Sequence, residues 1–130
     1  MNDMYREYIL DHYRNPRNYG RLEHPDVHAE DANPLCGDQI ALDLQVTDGY
    51  VSAVRFSGRG CAISQAAASM LTEMIDGKSL DEVKQLRRED ILDALGIEIN
   101  PARQKCALLS LKVLFMGLSG GAVPDELEDV

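Results

Sequence analysis

Residues 107–116 read Ala-Leu-Leu-Ser-Leu-Lys-Val-Leu-Phe-Met. A helix built from this run is apolar nearly all round, and such a helix must be buried on every side. The rest of the chain therefore has to surround it. Asn100 is a good N-cap, Pro101 suits the first turn, and Gly120-Gly121 stops the run after about Leu118. With 130 residues, 45% of them hydrophobic, the chain can bury such a helix as one domain without disulfide staples.

The partners of this helix are legible upstream. Ile40, Leu42, Leu44 and Val46 alternate over 39–46, the mark of a half-buried strand. Thr47-Asp48-Gly49 is a hairpin signal, and Tyr50 to Phe56 is the antiparallel return strand, ended by Ser57-Gly58-Arg59-Gly60. Those glycines let the backbone pass close to something, either a metal site or another strand. Ala62 to Asp76 reads as a helix closing at Gly77. Ser79 and Glu82 form a capping box for the next helix, and Ile91 to Leu95 is a short apolar turn ending at Gly96. At the other end, Met4 to Tyr13 has helical spacing and is broken by Asn15-Pro16 and Gly20. Residues 21–34 are polar, without a period, and read as a loop. Asp125 to Asp129 reads as an acidic tail.

Charge narrows the function. Thirteen basic residues against 22 acidic ones leave a net charge of −9. Such a chain is poorly suited to nucleic acid or to anionic membrane surfaces, and better suited to a protein with a basic patch. No apolar run approaches the ~18 residues of a membrane span. The charged first segment does not read as a secretory signal. Three widely spaced cysteines are not a secreted disulfide framework, so a reducing cytoplasmic setting is expected.

Each cysteine has a bland and a chemical reading. Cys36 lies in the turn sequence Asn33-Pro34-Leu35-Cys36-Gly37-Asp38, an unusual place for a core thiol. In extended chain Asp38 points to the same side as Cys36, so the two could share an ion; Asp38 could equally cap a turn. Cys61 follows Gly58-Arg59-Gly60 at the start of a helix, where backbone amides and the dipole favour a thiolate. Cys106, inside the buried helix after Arg103 and Lys105, could be core or a thiolate favoured by those cations. No CxxC pair is present.

These contexts together resemble the U-type iron–sulfur assembly proteins, the IscU, SufU and NifU N-domain group. Asn33 to Asp38 resembles the first-cysteine motif of that family, and Gly58 to Ala66, continuing to Ser69-Met70, the second. Arg103-Gln104-Lys105-Cys106-Ala107 resembles the third, and Tyr5 to Gly20 the opening. Lys105 stands where the Isc type has His, and 97–102 carries no proline-rich chaperone-binding segment. Arg103 and Lys105 thus look Suf-like, while the interval from Cys61 to Cys106 has about the Isc length.

The resemblance implies an α/β (α+β) fold: a small, mainly antiparallel three-stranded sheet with helices packed on one face. It implies one U-type domain over 1–130, with a partly mobile helix and loop over 1–34. It also implies that Cys36, Asp38, Cys61 and Cys106 meet at one exposed end as ligands of zinc, or of iron or a labile [2Fe–2S] cluster. The expected function is to accept persulfide sulfur from a cysteine desulfurase and pass it to downstream iron–sulfur acceptor or scaffold proteins. Cys36 is the favoured acceptor and Cys106 its rival, with Arg103 and Lys105 tuning the thiolates or contacting the partner. On this reading the protein is a zinc-dependent sulfurtransferase; the alternative is a non-enzymatic scaffold for the cluster. Two readings from other classes are a cysteine hydrolase using surface His12, His24 or His28 as base, and a purely structural zinc module.

Overall fold

The computed structural model of the protein describes residues 3–34 and 37–130; Cys36 lies outside the described residues. The elements run α1 (Asp3–Arg14), β1 (Val27–Asn33), β2 (Asp38–Thr47), β3 (Tyr50–Arg59), α2 (Ala62–Ile75), α3 (Leu80–Val83), α4 (Arg88–Leu95) and α5 (Pro101–Leu118). The three strands form one antiparallel sheet in the order β1-β2-β3. Among the described residues, no helix is long and apolar enough to cross a membrane.

The expected hairpin is present. Asp48 and Gly49 both have positive φ (54° and 81°), the backbone that joins two right-twisted strands in a two-residue turn. Ile40, Leu42 and Leu44 of β2 face the core. On β3, Val51 and Val54 are both buried although they are three residues apart. A bulge opposite Gln45 and Val46 supplies the extra residue that returns both to one face.

α5 is the helix that the rest of the chain surrounds, as its sequence requires. Leu108, Leu109, Leu111, Val113 and Leu114 are buried against α2, α4 and the sheet. Its start is capped by the Asn100 side chain, which accepts from the Arg103 N–H at 2.9 Å. Gly117 lets it press on β1: a Cβ there would lie 2.8 Å from Val27 Cγ1. The Ser79/Glu82 capping box of α3 is formed, and α4 ends on Gly96 with φ 70°.

Four details differ from expectation. Residues 27–33 form β1, not a loop. This edge strand has few apolar residues to reveal it, since its stability comes from backbone pairing with β2 over Val27↔Leu44 to Asn33↔Asp38. β3 continues through Ser57, Gly58 and Arg59 to pair Arg59 with Gln39. The glycine that looked like a strand end is required there, because a Cβ on Gly58 would lie 2.0 Å from the Gln39 carbonyl oxygen. The acidic tail carries a short 3-10 turn, Asp125–Leu127, whose Leu127 is fully buried.

His12 is the fourth: it is 1% exposed, not a surface residue. Its Nδ1 lies 2.7 Å from Ser69 Oγ, which also accepts from the Arg17 N–H at 2.9 Å. α1 is thereby held on α2. Burial, and secondarily the Arg17 charge, hold the imidazole below its ordinary value, against the pull of Glu73 and Asp11.

The sheet face opposite the helices is partly covered too. Asp43, on that face of β2, is buried because residues 21–22 fold over it. It accepts from His28 Nδ1 at 2.5 Å and from the Leu22 N–H at 3.0 Å, and pairs with Arg21. Burial alone would raise the Asp43 carboxyl, but the His28 and Leu22 hydrogen bonds, with the nearby Arg21 charge, outweigh it and leave it lowered.

Candidate metal centre

Three of the four anticipated ligands come together. One donor atom from each of Asp38, Cys61 and Cys106 lies within 4.8 Å of the others. Cys36, the fourth, is outside the described residues; its neighbours Pro34 and Gly37 are exposed. Three elements deliver the three side chains. Asp38 opens β2, Cys61 is the N-cap of α2, and Cys106 sits in the second turn of α5.

Asp38 is completely buried. Its Oδ1 accepts the Cys61 backbone N–H at 2.9 Å, while Oδ2 lies 3.8 Å from Cys61 Sγ. The backbone-capping and ligand readings of Asp38 are therefore not exclusive. One oxygen caps the start of α2 in place of the side-chain cap that Cys61 does not supply, and the other faces the sulfur. Ser64 closes the turn by donating from Oγ to the Cys61 carbonyl at 3.1 Å.

Gly60 makes this approach possible. It has φ 150°, and a Cβ on it would lie 2.1 Å from Asp38 Oδ1 and 2.9 Å from Ser64 Oγ. Both readings of the glycine pair thus apply, one to each: Gly58 lets a strand pass close, and Gly60 lets the carboxylate into the site. Gly60 and Ser64 are parts of the site that the ligand pattern did not name; the Gly-x-Gly-Cys run was the available signal.

The thiols differ in access. Cys61 is half-buried, whereas Cys106 is 2% exposed. Arg103 is exposed and Lys105 half-buried, and neither side chain has an ion pair or hydrogen bond among the described residues. Of the three histidines offered as bases for a hydrolase, two are engaged elsewhere, His12 on Ser69 and His28 on Asp43, while His24 is exposed.

The donor set is one that could hold a metal ion. Two thiols and a carboxylate on separate elements, around a common point, are donor types that zinc accepts. They also suit the iron of a cluster, which prefers sulfur.

Known proteins share this frame. Residues 4–120 match the family described as NifU-like N terminal domain. The chain is 38% identical to the zinc-dependent sulfurtransferase SufU of Bacillus subtilis, with 92% of each chain covered. It is 36% identical to the iron–sulfur cluster assembly scaffold protein IscU of Escherichia coli, covering 82% of this chain and 84% of that one. A crystal structure from Fervidobacterium islandicum, described as a candidate cluster assembly scaffold for the SUF system, superposes with a TM-score of 0.72 at 30% identity. That match covers 87% of this chain and 95% of the other. With residues 4–120 matching the family's pattern, and with 36–38% identity to relatives over most of both chains, the chain belongs to the NifU-like N-terminal domain family.

Proposed function

We propose that the protein serves iron–sulfur cluster biogenesis by taking sulfur from a cysteine desulfurase on Cys36 and passing it to a downstream acceptor or scaffold. Cys36, Asp38, Cys61 and Cys106 would form the donor set of a zinc site. The observation that carries this reading is the convergence of Asp38, Cys61 and Cys106 within 4.8 Å. The similarity to a zinc-dependent sulfurtransferase supports it. Zinc, when bound, favours the deprotonated form of its sulfur ligands and ties together the segments that carry them.

The chain's own residues supply the rest. The Cys36 thiolate attacks the terminal sulfur of the donor's cysteine persulfide. A new S–S bond forms on Cys36, the donor's S–S bond breaks, and the donor cysteine leaves as a thiolate. No net oxidation occurs, and the proton stays with the transferred sulfur. Burial speaks against the rival acceptor, because Cys106 is 2% exposed and would have to be uncovered before a partner's persulfide could reach it. Asp38, by accepting the Cys61 N–H, holds the two thiol-bearing segments in register.

The test is to incubate the protein with desulfurase and cysteine and map the added sulfur by mass spectrometry. The added sulfur is expected on Cys36, and Cys36→Ala should abolish stimulation of the desulfurase. Full stimulation by Cys36→Ala would remove the assignment.

The second reading, a scaffold for a labile [2Fe–2S] cluster, is favoured by the 36% identity to an IscU scaffold. Clusters usually take four cysteines, so three with one aspartate would hold a cluster loosely enough to release it. Anaerobic reconstitution followed by transfer to an apo-ferredoxin tests it.

A further inference from the structure

The acidic segment over 124–130 is fastened to the helices. Leu127 is fully buried in the core. Arg88, at the start of α4, donates from Nη1 to the Glu126 carbonyl at 2.5 Å and lies 3.4 Å from Asp129 Oδ1. Lys112, in the middle of α5, donates from Nζ to the Val130 main-chain oxygen at 2.9 Å and pairs with Asp31 of β1 at 2.8 Å.

Arg88 also reaches the other way. Its Nη2 donates to Gln104 Oε1 at 3.5 Å. Gln104 donates in turn from Nε2 to the Ile99 carbonyl at 3.1 Å, and it stands two residues before Cys106. One guanidinium, 24% exposed, thus joins the start of α4, the segment over 124–130 and the first turns of α5. A planar fork with donors on two nitrogens can span both sides at once. Those turns of α5 need outside support. Beyond the Asn100 cap, the first turn has no acidic residue, and Arg103 and Lys105 place positive charge where the helix dipole disfavours it. Helix ends of this kind open first, yet Cys106 is enclosed there.

We propose that Arg88 is a positioning residue for Cys106: it ties the segment over 124–130, as a strap, to Gln104, and so keeps the cysteine end of α5 closed. Release of the strap uncovers Cys106. Cys61 keeps its exposure, because it is carried by α2 and held by Asp38. The proposal rests on the reading of Cys106 as a member of the metal centre, and adds what governs access to it.

The experiment labels the full-length, zinc-stripped protein with iodoacetamide and follows Cys106 and Cys61 by peptide mass spectrometry. Three variants cut the route at different points: Leu127→Ala loosens the strap, Arg88→Met removes the fork, and Gln104→Met leaves the strap on Arg88 but frees α5. Each should raise the Cys106-to-Cys61 rate ratio about tenfold, the scale of one charge-assisted hydrogen bond lost from an opening equilibrium. Val54→Ala, a core change in β3, lowers the thermal midpoint without touching the strap and should keep the wild-type ratio. An unchanged ratio in Arg88→Met or Gln104→Met, or an equal rise in Val54→Ala, would overturn the proposal. Should Arg88→Met fail to fold, Gln104→Met and Leu127→Ala decide it. Zinc affinity of the wild type is measured separately: no zinc binding would overturn the metal-centre reading, while the labelling ratio still judges the strap.

Discussion

The Cys61 backbone N–H donates to Asp38 Oδ1 at 2.9 Å, and the same carboxylate's Oδ2 lies 3.8 Å from Cys61 Sγ. One side chain thus caps a helix and faces a thiol. The two jobs can be separated by substitution. Asp38→Asn keeps an oxygen for the Cys61 amide but removes the charge; Asp38→Ala removes both. Zinc affinity, measured by chelator competition, should fall in both variants. Only Asp38→Ala should also lose about 1–3 kcal/mol of stability in denaturant titration, the cost of a buried donor left unpaired. If a [2Fe–2S] cluster is reconstituted, Asp38→Ala should retain it longer than the wild type, since the labile ligand is gone. Equal stability of the two variants would show that the capping bond contributes nothing.

Gly60→Ala should damage the centre without touching a ligand. The new Cβ would lie 2.1 Å from Asp38 Oδ1, at a backbone φ of 150° that other residues rarely adopt. Displacing Asp38 should weaken zinc binding by about tenfold or more, equivalent to about 1.4 kcal/mol. Gly58→Ala, whose Cβ would meet the Gln39 carbonyl oxygen at 2.0 Å, should instead fray the β2–β3 pairing and lower the thermal midpoint. A Gly60→Ala protein with wild-type metal affinity would contradict the close approach seen here.

Alkylation should distinguish the thiols. In metal-free folded protein, iodoacetamide should modify half-buried Cys61 well before Cys106, which is 2% exposed. Time-resolved peptide mass spectrometry reads the order. Faster labelling of Cys106 would mean that α5 opens readily, and would restore Cys106 as a sulfur acceptor.

Acid should loosen the clamp between α1 and α2. His12 is held below its ordinary value of 6.5 in the folded state, first by burial and then by Arg17. The unfolded chain therefore binds the proton more readily, and stability falls as pH drops below about 6.5. Above that value the imidazole is neutral in both states and adds no slope. The expected result is a decline in thermal midpoint from pH 7.5 to 5.5 that shrinks in His12→Asn. An identical decline in that variant would place the titration elsewhere.

Much of this was readable in one dimension. The capping residues Ser79, Glu82 and Asn100, the stop at Gly96 and the Asp48-Gly49 turn each act within a few residues, and each appears where its chemistry predicts. The composition of α5 required burial and obtained it. β1 was hidden because an edge strand is held by backbone hydrogen bonds that leave little trace in side-chain pattern. His12 looked like a surface residue because nothing local announces that Ser69, 57 positions away, will receive it. Leu127 was lost in a charged tail although its side chain is fully buried.

The candidate metal centre divides along the same line. By itself the sequence supplied the candidate donor types and the helix start at Cys61, since spacing and local backbone preference act over short range. Only the tertiary structure decided that Asp38, Cys61 and Cys106 share one point, and that Asp38 divides its two oxygens between an amide and a sulfur. Those facts depend on how β2, α2 and α5 pack, and packing depends on distances between residues far apart in the chain. Gly60 joins the two levels: its place beside Cys61 is plain in the sequence, but the carboxylate that requires it arrives from 22 residues upstream.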